Sequence, residues 1–159
     1  MDSEVKTIVK VGMAATGAAG VGLGIFGGDT VALAGVWGTM MYKIARHHNV
    51  DLDEKTCVKT CAGIIASLAG YKLGCLVLTH AVNALLATVT LGATLFLSLG
   101  VNGIINALIT YRLGKTFDKM YGDDGCATAL VTIGSSVLRS FFAIPSPSEF
   151  KEVMGMIND

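Results

Sequence analysis

The sequence predicts an all-α protein of about six to seven helices, tightly packed through Gly and Ala faces and including two apolar helical hairpins. Three observations carry that prediction. Hydrophobic residues make up 52% of the 159 residues, and 20 residues are glycine. The charges gather in four islands, residues 2–10, 43–59, 112–124 and 139–159, with Asp29 and Lys72 the exceptions. Between the islands apolar residues recur at helical spacing, without the alternation or hairpin turn dipeptides that mark strands. The mean hydropathy of +0.62 and a charged fraction of 15% set the chain apart from ordinary domains, which carry about 25% charge.

One helical domain over residues 1–159 accommodates the elements. The opening "MDSEVKTIVK" mixes acidic and basic residues before any apolar run and does not read as a secretory signal. A first apolar hairpin spans 11–42, with "GGD" near its middle. Asp29 follows the glycine turn as a helix cap, where a carboxylate accepts orphan N–H groups at the positive end of the dipole. Leu33, Trp37, Met40, Met41, Ile44 and His48 then share a face. Lys43 and Arg46 suit the C-terminal turn, and Asn49 is able to adopt the left-handed conformation that ends it. The next helix lies within 50–79, with Asp51 as cap and Glu54 three residues on, a capping-box pattern.

A second apolar hairpin spans 81–121, bent at "LGVNG" (Leu99 to Gly103). A short apolar helix covers 126–142. The last element, 146–158, opens with Ser146 capping, Pro147 at the first helical position and Glu149 three residues after the cap. Its stripe of Phe150, Val153, Met154 and Ile157 is fit to dock on the protein's own core, on a partner or on a membrane surface.

Gly20, Gly24 and Gly28 fall at four-residue intervals and form a helix-packing or oligomer face, because small residues let helix backbones approach closely. In water each glycine in a helix costs about 1 kcal/mol relative to alanine, so the face needs compensation from packing. "GAAGVGLG" lacks the Gly-Lys-Ser/Thr of a phosphate loop, and no strand precedes it. The interval between Lys72 and Arg112, free of formal charge apart from His80, is long enough for two short apolar helices, but Asp29 would sit badly in lipid. Trp37, Tyr111 and Arg112 are membrane-interface candidates, an aromatic belt with a snorkelling base. Asn83, Asn102 and Asn106 read as caps or interhelical hydrogen-bonding groups. Lys115, Lys119, Asp118 and Asp123 read as a solvated face.

Signs of chemistry are sparse. Twelve basic residues balance twelve acidic ones, so nothing points to nucleic acid as a partner. Cys57 and Cys61 lie one turn apart without a second such pair, so they read as buried small apolar residues rather than metal ligands. His47, His48 and His80 belong to no metalloprotease or triad pattern. The expectation is a non-enzyme with no catalytic residues, cofactor or metal.

From about Asp29 to Met120 the chain resembles domain of unknown function family 697. That family includes the C-terminal part of the YcjF inner-membrane proteins and modules attached to Era-like GTPase domains. The likeness rests on "GDTVALAGVWGTMMYKIARHHNVDLDE", the glycine-rich middle and "NALITYRLGKTFDKMY", where Thr110, Leu113 and Gly114 match the family's closing residues. Gly27 and Gly28 stand where the family usually has proline, and Asn49 replaces a usual glycine. The resemblance implies helical, membrane-linked architecture, with a separate GTPase as a candidate partner.

The resulting expectation is a non-enzymatic, membrane-associated, self-assembling helical protein on the cytoplasmic face, a bacterial inner membrane if the source is bacterial. Its partners would be itself, membrane lipids and a GTPase. The alternatives are a pore-forming or lipid-binding oligomer, and a soluble cytoplasmic helical oligomer with an apolar interior.

Overall fold

The computed structural model describes residues 1–22, 29–67, 81–82, 93–123 and 143–158. Every regular element among them is helical: α1 (Ser3–Gly22), α2 (Asp29–His47), α3 (Glu54–Ser67), α4 (Ala93–Asp123) and α5 (Pro147–Asn158). The helix expected at 126–142 lies outside the described residues.

α1 begins well before the apolar run that foretold it. Asp2 caps it, Oδ1 accepting the Glu4 and Val5 N–H groups at 3.0 and 2.9 Å. The first charged island is therefore helical, and its buried face of Val5, Val9 and Met13 keeps the periodicity of the segment that follows. α2 ends in a Schellman motif. Val50 N–H reaches Ala45 O and Asn49 N–H reaches Arg46 O, while Asn49 takes a φ of 59°.

Two expectations about local structure fail. Asp51 does not cap α3; that cap is Asp53, whose Oδ1 accepts the Thr56 N–H at 2.9 Å. An acidic pair two residues apart offers two capping positions, and because the helix starts at Glu54 the second of them, Asp53, is the one beside its first turn. The bend expected at Leu99–Gly103 is also absent, because α4 runs unbroken for 31 residues. Gly100 and Gly103 weaken a helix but do not stop one, and no proline is present to remove a hydrogen bond.

α4 is the axle of the assembly. Residues 103–114 are buried without interruption, so this stretch touches protein on every side. A helix that is apolar all round belongs in an interior. The uncharged run before Arg112 is thus accounted for, over these residues, by neighbouring helices. α1 packs along α4, α2 packs against α1, α3 and α4, and α5 crosses α1 and α4. Trp37, Tyr111, Phe117 and Phe150 are the bulkiest fully buried side chains.

Glycines set two of the helix spacings. A Cβ on Gly38 would lie 2.5 Å from Val58 Cα and 2.7 Å from its N, so α2 and α3 meet backbone to backbone. A Cβ on Gly114 would run into the Val9 side chain, so α4 lies close to α1 there.

Candidate functional site

The outer side of the α1/α2 pair carries an open groove of about 260 Å³, walled by Ile8, Val11 and Ala15 on one side and Gly35, Val36 and Thr39 on the other. Val31, Gly35, Thr39 and Lys43 recur every four residues and so form one row along α2. Val11 is 59% exposed and Val31 80%, both large for apolar side chains. At Gly35 nothing among the described residues approaches within 4 Å of where a Cβ would stand, so the groove is open to them there. Lys43 closes the apolar lining toward the charged end of the pair.

The groove floor is Gly12, whose absent side chain leaves room for Met40 Sδ at 3.1 Å and Thr110 Cγ2 at 3.2 Å. Below it lies a buried polar knot joining three helices. Trp37 Nε1 donates to Thr110 Oγ1 at 2.9 Å, and Thr110 Oγ1 donates to Asn106 O at 2.7 Å. Thr16 Oγ1 lies 2.8 Å from Thr110 Oγ1 and 3.0 Å from Gly12 O. Each hydroxyl has one proton. With the Thr110 proton on Asn106 O, Thr110 Oγ1 is left as an acceptor, and the single Thr16 proton is shared between Thr110 Oγ1 and Gly12 O. Asn106 Nδ2 closes the knot on Thr16 O at 3.3 Å.

This knot ties α1, α2 and α4 into one register beneath the groove. Thr110→Val keeps the shape but removes the oxygen shared by Trp37 and Thr16. Stability should fall by about 1–3 kcal/mol, the usual consequence of breaking buried hydrogen bonds, and Thr110→Ser should lose much less. Urea unfolding of the three proteins checks this.

The membrane-interface residues expected from sequence are interior ones. Trp37 and Tyr111 are 1% and 0% exposed, and Arg112 is 7% exposed. Arg112 is held by Glu149 through two hydrogen bonds at 2.7 and 2.8 Å and by Ala143 O at 2.6 Å. A cluster of aromatic and basic residues reads the same from sequence whether it lies at a lipid interface or inside a bundle; the carboxylate of α5 decides it. Lys115 Nζ stands 5.3 Å over the Tyr111 ring, at the rim of the same contact.

Of the glycine row, Gly20 lies in the last turn of α1, while Gly24 and Gly28 lie outside the described residues. Asp29 is the first residue of α2. Asp51 is exposed. Ser146 Oγ accepts the Glu149 N–H at 3.1 Å and so caps α5. Asn106 belongs to the knot, whereas His80 and Asn83 lie outside the described residues.

Cys57 and Cys61 are buried and carry no disulfide. Burial pushes their thiols up to about 11 and about 12, with the nearby carboxylates of Asp53 and Glu54 adding to the first, so both stay protonated at neutral pH. The Tyr121 hydroxyl is buried near them and has no hydrogen-bond partner among the described residues; burial raises its pKa as well. Among the described residues no cluster of His, Cys, Asp or Glu is arranged to hold a metal ion, and no helix is long and apolar enough to cross a membrane.

Sequence reasoning missed the knot and the Gly38 contact. A threonine inside an apolar run signals hydrogen bonding to its own helix as readily as to another, and a lone glycine does not announce a neighbour. No family model, curated protein or solved structure matches the chain.

Proposed function

We propose that the chain is a non-enzymatic helical module that works by association: its α1/α2 face lies against a membrane surface and meets further copies of the protein there. A separate GTPase is the soluble partner that the sequence resemblance adds to this reading. The same reading takes α1 and α2 as one apolar hairpin in a chain of six to seven helices.

The observation that carries it is the groove itself. Monomeric proteins seldom leave large apolar side chains standing beside a row of small residues, and such patches mark contact surfaces. Val11 and Val31 stand out from the surface, and Val11 walls a groove that also holds the small residues Gly12, Ala15 and Gly35. Among the described residues the lining holds neither a carboxylate nor a histidine, which supports binding area over acid–base chemistry.

Fractionation and sizing test the proposal. The expressed protein should partition with membranes and require detergent, in which it should run as an oligomer. Gly35→Glu should fold normally, because the position is open, and should move the protein to the supernatant. Monomeric behaviour of the unaltered protein in plain buffer would end the idea.

A further inference from the structure

We propose that His47 and the start of α1 form a proton-dependent latch, closed when the imidazole carries two protons and released when it loses one. The argument begins with donor counting. His47 Nε2 lies 2.6 Å from Asp2 Oδ2, and His47 Nδ1 lies 3.3 Å from Glu4 Oε2. Ionised carboxylates only accept, and a neutral imidazole has a single N–H. The Asp2 contact is a hydrogen bond and the Glu4 contact an ion pair, and the two are favourable together only in the imidazolium form. Loss of one proton turns one ring nitrogen into an acceptor facing a carboxylate, and that contact becomes repulsive.

Position gives the contact mechanical consequence. His47 ends α2, where the helix dipole favours a cation. Asp2 is at once the counter-ion and the cap of α1, Oδ2 facing the imidazole and Oδ1 holding the Glu4 and Val5 N–H groups. Protonation of one ring thus supports the first turn of another helix. The remaining charged neighbours lie one layer away. His48 meets His47 edge to face at a 5.1 Å centroid distance, and its Nε2 lies 2.9 Å from Asp118 Oδ1 on α4. Asp118 Oδ2 is 3.3 Å from the Met1 ammonium. Lys43 and Arg46 share α2 with His47 and are exposed.

The Asp2 hydrogen bond raises the His47 pKa above its ordinary 6.5 against some desolvation, with Glu4 adding to the rise; Asp2 is lowered first by the Val5 N–H and then by His47. A raised folded-state value means that the latch's contribution is complete below pH 6.5 and is lost as pH rises through the His47 midpoint. The groups are solvent-accessible, so the latch governs fraying of one turn and leaves global folding alone.

An NMR titration of the full chain from about pH 5.5 to about pH 8.5 tests the latch, since histidine is the one side chain whose ordinary charge change falls between about pH 5 and 8 and the ring shifts of His47 report its own titration. The His47 ring should titrate above 6.5, and the helical Cα shifts of residues 3–6 should decline with the same midpoint. In His47→Gln those shifts should be flat with pH. Asp2→Asn keeps a capping side chain, so α1 should still start there while the His47 midpoint falls toward 6.5. A His47 midpoint at or below that value would overturn the proposal. So would unchanged α1 shifts across a completed His47 titration.

Discussion

Replacing Gly38 with alanine is expected to lower the unfolding free energy by about 2–3 kcal/mol, the upper part of the range for overpacking a tight core. The added methyl would stand 2.5 Å from Val58 Cα and from Val58 Cγ2. Rotating the valine side chain relieves only one of these contacts. The other is with backbone, so α3 itself must move away from α2. That shift also opens the packing of Cys57 and Cys61, which are 0% and 1% exposed. Gly35→Ala, on the same helix and nearly one turn earlier, is the matched control. Nothing among the described residues occupies the space there, so the better helix former should be neutral or stabilise by up to about 1 kcal/mol. Opposite signs from two identical substitutions on one helix, read by thermal and urea unfolding, would establish that the α2/α3 spacing depends on Gly38. Equal, small effects would refute the close approach.

That contrast also shows what a sequence of this kind reveals. Helix faces were legible, because Leu33, Trp37, Met40, Met41 and Ile44 repeat at helical spacing and all are buried. The start of α5 was legible too, since Ser146, Pro147 and Glu149 combine a capping hydroxyl, a fixed φ and an acidic first turn within four positions. The course of α4 was not. Gly100 and Gly103 suit a bend and cost a helix about 1 kcal/mol each, and only the protein around residues 103–114 makes the continuous helix favourable. The groove was invisible for a related reason. Gly12 stands two four-residue steps before Gly20 and Gly35 lies off that row on the next helix, so the two come together only when α1 lies beside α2. A glycine row records spacing within one helix; a binding face needs the partner helix as well.

The ion pair of Arg112 and Glu149 should give the second large effect. Glu149→Ala removes both carboxylate hydrogen bonds from a guanidinium whose side chain is 8% exposed. Removing one member of a fully buried pair costs roughly 3–5 kcal/mol, because the remaining charge stays desolvated. Glu149 is itself 22% exposed, so water reaches the site and about 2–3 kcal/mol is the expected loss. The paired replacement Arg112→Met with Glu149→Leu should recover most of it, since neither residue then leaves a buried charge behind. A second readout separates docking from global stability. Glu149 opens α5, whose Phe150, Val153 and Met154 are buried against the rest of the protein. Glu149→Ala should therefore expose α5 to limited proteolysis under conditions where α1 and α4 still resist, and the double variant should restore protection. If the single variant were as stable and as protected as the original, α5 would be held by its apolar face alone, and the burial of Arg112 would have no bearing on where the last helix sits.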